Sequence, residues 1–185
     1  KVKRLFLVIF FIIPLSLLVG CQQPTQTKNL NAEEDMKDFI EPEPSEWVKY
    51  SKIVREYMYY RTQAVVKNDI QILWNQYPRL KNNIDFNEGV NVEKEEMESL
   101  NKHFDLIDAN YNIESYGRMK VNMIDDQNAI VLVHGSTVYL RKDFDESGGE
   151  YVMKILLKKT NSQWNVVKTD EYTQEEYKEW FNSQN

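Results

Sequence analysis

The chain has 185 residues, a formal charge of −6 and a pI near 5.1, with one cysteine and two histidines. That length suits one domain with appendages, and a single cysteine excludes an internal disulfide framework or a thiolate-rich metal cluster. An acidic chain is a poor ligand for polyanions, so nucleic acid is not an expected partner, and nothing in the composition calls for a cofactor.

Lys1, Lys3 and Arg4 precede an apolar run from Leu5 to Val19, broken only by Pro14 and Ser16. A charged start followed by a short apolar run is the pattern of a secretory signal peptide. At ~1.5 Å per residue the run makes about 22 Å of helix, short of the ~30 Å hydrocarbon core. It ends in Leu18, Val19, Gly20 and Cys21. This tetrapeptide resembles the bacterial lipobox, in which the cysteine thiol takes a diacylglyceryl group and the peptide is cut just before it. The small Gly20 suits peptidase access, and only a thiol at position 21 can carry the thioether-linked lipid.

The resemblance implies a signal peptide over residues 1–20 and lipid attachment at Cys21. The expected location is the extracytoplasmic face of the cell membrane, with the membrane itself a partner through that lipid. Cleavage removes three basic residues, so the acidic remainder is expected to stand off an anionic leaflet. Residues 21–44 are rich in polar residues and proline and read as a disordered tether reaching about 75 Å when stretched. Met36, Phe39 and Ile40 form a short amphipathic piece within it, able to dock on the domain or the membrane.

The globular domain is expected over residues 45–185. Ser45 is a candidate cap for a helix with its stripe at Trp47, Tyr50, Val54, Tyr57 or Met58, and Val65. Asn68 is a candidate cap for a second helix carrying Ile70, Leu73, Trp74 and Tyr77 at spacing i, i+3, i+4, i+7, ended by Pro78. A third helix starts near Asn91; its acidic opening complements the macrodipole, and its stripe runs through Met97, Leu100, Phe104 and Ile107. The period then falls to two. Strands are expected over 115–124, 129–140, 151–157 and 164–167, and a capping box from Thr173 to Glu176 opens a short terminal helix.

Helices followed by hairpin-linked strands make the fold class α+β, with three helices on a curved antiparallel sheet of about four strands. That order, with Val65 to Ile70 resembling a second-helix entry and Ser162 to Val167 a closing hairpin, is similar to the nuclear-transport-factor-2-like (SnoaL-like) cone fold. A cystatin-like sheet wrapped on one helix is the alternative. Enzymes of the cone group typically set an aspartate or histidine and a tyrosine inside the cone. The resemblance therefore implies a pocket drawing on Asp69, His134, Tyr139 and Tyr151, with Trp74 and Tyr77 as walls or plain core.

Other chemistry is sparse. His134 and Ser136 share a strand face, but side chains two apart lie roughly 6.5–7 Å apart, beyond direct hydrogen bonding. No catalytic residue is assigned. Asp143, Asp145 and Ser147 match the first half of a calcium loop, D-x-D-x-S-G, but position twelve is Lys154 where a glutamate is needed. A polar hairpin turn is the simpler reading there. The expected role is a non-catalytic binding or assembly module for a cell-envelope protein or small ligand. An acid–base enzyme of isomerase, cyclase or dehydratase type, using the cone pocket, is the alternative. Oligomeric state is left open.

Overall fold

In the computed structural model, which describes residues 39–85, 88–113 and 119–173, Pro44 starts the first helix, α1 (Pro44–Lys67). Its locked φ and missing N–H suit a first helical position. Ser45, the expected cap, therefore lies inside the first turn, and Glu43 takes the cap position. The helix buries Tyr50, Val54, Tyr57, Met58, Arg61, Ala64 and Val65. It ends at Asn68, whose left-handed φ of 50° directs its N–H back to the last turn. Asn68 thus closes α1 rather than opening the next helix.

Helix α2 (Gln71–Gln76) is short, and Pro78 converts the chain to a 3-10 turn, Pro78–Asn82. Leu73 and Leu80 plug both pieces into the core. Helix α3 (Val92–His103) is capped by the Asn91 side chain, which accepts from the Lys94 N–H at 3.0 Å. The expected extension to Ile107 is wrong. The chain turns extended at Phe104 and continues as a strand, Leu106–Ile113, in which Ala109, Tyr111 and Ile113 point inward at a period of two.

The sheet therefore has five strands among the described residues: β1 (Leu106–Ile113), β2 (Met119–Met123), β3 (Asn128–Arg141), β4 (Glu146–Thr160) and β5 (Gln163–Thr173). All pairings are antiparallel. β1 lies along the second half of β3 and β2 along its first half, so both occupy one edge, and β4 and β5 follow on the other side. Register shifts at Leu106/Asp108 and Leu156/Leu157 mark bulges, which add twist and wrap the sheet around α1. The expected terminal helix beyond Thr173, the signal peptide and Cys21 lie outside the described residues. No described helix is long and apolar enough to cross a membrane.

The inner face of the sheet packs Val131, Val133, Met153, Ile155, Leu157 and Val166 against Tyr50, Val54, Tyr57 and Val65 of α1. Outside, Ile130, Leu132 and Val152 form a smaller cluster with Phe39. Residues 39–43, read from sequence as the end of the tether, are in contact with this domain. Ile40 exchanges two backbone hydrogen bonds with Val121, at 3.0 and 2.8 Å.

Candidate functional site

Strand pairing determines which side chains face α1. Gly135 lies opposite Tyr151, Val133 opposite Met153, Met153 opposite Glu171 and Ile155 opposite Thr169, so all of these belong to the inner face. Thr137 and Tyr139 follow Gly135 on the same side by alternation. Helix α1 contributes Arg61 to this interior from its buried stripe, and α3 contributes Glu93 and Glu96.

Arg61 is the centre of the arrangement. It is only 6% exposed, and its Nε donates to Glu96 Oε2 at 2.6 Å while Nη2 donates to Glu171 Oε2. Burial works against the guanidinium charge, but the two carboxylates outweigh it and hold the group charged, well above its ordinary range. Tyr139 donates its hydroxyl to the other oxygen of Glu96 at 3.2 Å. Burial and the Glu96 charge raise the Tyr139 phenol far above its ordinary value, so it remains a donor.

A second polar knot lies next to the first. Glu93, 2% exposed, accepts at Oε1 from Asn83 Nδ2 at 2.8 Å and from Thr169 Oγ1 at 2.6 Å. Its other oxygen has no partner among the described residues. Burial raises its carboxyl, against the lowering effect of those hydrogen bonds and of Arg61.

A cavity of about 290 Å³ opens beside these groups, lined by Glu96, Ser99, Thr137, Tyr139, Tyr151 and Glu171 among others. Gly135 is required for this wall. A Cβ there would stand 2.5 Å from the Asn112 carbonyl oxygen and 2.5 Å from the Tyr151 hydroxyl, so the tyrosine ring crosses β3 only over a glycine. A groove of about 360 Å³ lies beside the β3–β4 turn, lined by His103, Phe104, Asp105, Arg141, Lys142 and Asp143. Its guanidinium is already engaged by Asp143 and Asp145 and sits 4.9 Å from the centre of the Phe104 ring.

Of the residues singled out from sequence, Tyr139 and Tyr151 line the cone-mouth pocket. Asp69 does not: it is exposed between α1 and α2, where its carboxylate accepts from the Gln71 N–H at 2.9 Å. His134 does not either, because it is five residues from Tyr139 and an odd spacing on a strand puts it on the outer face, opposite Val152. Tyr77 is core, edge-on to Tyr57 at 5.9 Å, and Trp74 is half-buried against the same cluster. Asp143, Asp145 and Ser147 lie at the β3–β4 hairpin, the simpler of the two readings. Arg141 bridges both aspartates, and its hydrogen bond holds the Asp143 carboxyl below the ordinary range. No metal-sized group of His, Cys, Asp or Glu occurs among the described residues.

Sequence reasoning missed Arg61, Glu93, Glu96 and Glu171. Arg61 had a usable signal: it falls four residues after Tyr57 and seven after Val54, a charge inside an apolar stripe. Glu93 and Glu96 were absorbed into the acidic start of α3, although only Glu95 and Glu98 of that run are outward.

No protein-family model matches the sequence, and no curated protein matches it. Solved structures do. Aln2 from a Streptomyces species is similar over 72% of this chain and 94% of its own, at 10% identity and a TM-score of 0.50. An NTF-2-like protein from Shewanella oneidensis MR-1 is similar over 65% of this chain and 97% of its own, at 15% identity and a TM-score of 0.39. A Nostoc punctiforme PCC 73102 protein with a cystatin-like fold is similar over 65% and 88%, at 12% identity and a TM-score of 0.44. The fold is α+β, helices packed on a curved antiparallel five-stranded sheet, and the similar structures include NTF2-like and cystatin-like folds. At these identities the likeness concerns the fold alone. The Arg61 knot and the pocket beside it lie between the helices and the inner face of the sheet.

Proposed function

We propose that this chain is a lipid-anchored extracytoplasmic binding module whose cone-mouth pocket seats a small ligand. One observation carries the choice of binding over catalysis: Glu96 and Glu171, the carboxylates on the inner face, already hold Arg61, and Tyr139 is held by Glu96, while Glu150, which also lines the cavity, has the outward parity of β4. Proton transfer needs an acid or base free to reach the substrate. Asp69 and His134, the groups expected to supply one, lie elsewhere. The Leu18–Cys21 motif supports the anchor.

Two measurements test this reading. Cys21→Ser should release the protein from the membrane fraction or leave it unprocessed; normal processing and retention would refute the anchor. In a fragment screen monitored by amide NMR, ligands should shift Thr137, Tyr139, Gly149 and Tyr151 and be recovered unchanged. Turnover of a fragment would favour the acid–base enzyme instead, and unmoved resonances would refute the pocket.

A further inference from the structure

Resting on the binding reading above, we infer that the pocket takes a small organic cation, an amine or guanidinium on a short carbon chain. Donors and acceptors decide this. Arg61 is buried, with Nε and Nη2 both committed, and it does not line the cavity. Among the described lining side chains the remaining donors are hydroxyls, from Ser99, Thr137, Tyr139 and Tyr151. The acceptors are stronger. Glu171 uses Oε2 on Arg61, and its side chain is 33% exposed where it lines the cavity. Glu96 and Glu171 outnumber the one guanidinium they hold, and Glu150 also lines the cavity, so this wall is net negative.

Tyr151 supplies an independent sign of a missing ligand group. It is 4% exposed and lines the cavity, and its hydroxyl leans toward Thr137 without a hydrogen bond of normal geometry. A buried phenol of this kind ordinarily has a partner. An ammonium carries only donors, so it suits the part-exposed Glu171 carboxylate and the Tyr151 oxygen together. An anion would meet the net negative wall and find no unpaired cation. The volume of about 290 Å³ sits at the low end of the ~300–1,000 Å³ usual for ligand pockets, which limits the guest to a few carbons.

The test compares three four-carbon probes by calorimetry on the full-length chain in detergent: putrescine, succinate and neutral butanediol. Putrescine should bind most tightly, and its affinity should fall as salt is raised. Glu171→Gln should weaken it about tenfold, the loss of one charge-assisted hydrogen bond in a partly exposed site. Tyr151→Phe removes only the hydroxyl and should weaken it roughly threefold with little change in melting temperature. Arg61 keeps Glu96 in the first variant, so both should fold. Succinate binding more tightly than putrescine, or putrescine binding unaffected by both variants, would overturn the cation assignment while leaving a ligand pocket in place. Failure of all three probes to bind, together with a blank fragment screen, would remove the pocket reading as well.

Discussion

Replacing Arg61 by methionine is the most informative single change, because it separates a buried ion pair from the space it fills. Methionine keeps most of the apolar stem and removes the guanidinium, leaving Glu96 and Glu171 facing each other without a cation. Breaking a buried pair by removing one partner costs about 3–5 kcal/mol. The side chains of Glu96 and Glu171 are 22% and 33% exposed, so both can turn partly to water, which puts the cost near 3 kcal/mol. In a domain of this size that lowers the melting temperature by roughly 6–12 °C. The triple variant with Glu96→Gln and Glu171→Gln removes the orphaned charges and should recover all but about 1 kcal/mol. Urea unfolding with circular dichroism measures both. A single variant within 0.5 kcal/mol of wild type (a threshold of about the scatter for surface changes), or a triple variant no more stable than the single one, would refute the view that Arg61 is held in place by charge.

Three further outcomes follow from other parts of the molecule. Glu93 has a raised carboxyl in the folded state, so its contribution to stability is full below its ordinary value of 4.5 and is lost as pH rises through the raised folded value. The stability of Glu93→Gln relative to wild type should therefore increase from acid to neutral pH, and parallel urea midpoints across that range would contradict it. Gly135→Ala should destabilise by about 1–3 kcal/mol, since the new methyl meets a backbone carbonyl that cannot move freely; thermal melts check this. Phe144 is 81% exposed at a φ of 64°, a conformation costly for a residue with a side chain. Phe144→Gly should stabilise by about 1 kcal/mol, read as a rise in melting temperature of a few degrees.

The helices were legible because each has its own local signature. The stripe of α1, the acidic opening of α3 and the Pro78 stop are all statements about neighbours in sequence. The β3, β4 and β5 strands were legible as alternation or apolar runs with turns between them. β1 was hidden because Leu106 and Ile107 extend the spacing of the α3 stripe. Only the backbone partners offered by β3 decide that this stretch is sheet rather than another turn of helix. Asn68 was misassigned for a similar reason, since a residue fit to cap a following helix is also one that tolerates the left-handed region that closes the preceding one.

The sequence by itself determined the α+β class, the three helices followed by strands, and the signal-like start, because periodicity, capping and charge are properties of short stretches of chain. It could nominate Tyr139 and Tyr151, yet it could not separate them from Asp69 and His134, because a strand's parity is known only relative to the layer it packs on. The pairing of Arg61 with Glu96 and Glu171 spans 35 and 110 positions. Such a contact comes into being when the sheet curls onto α1 and buries the guanidinium between two partly exposed carboxylates, and no local pattern encodes that. Tertiary structure alone chose which glutamates became a site and which stayed on the surface.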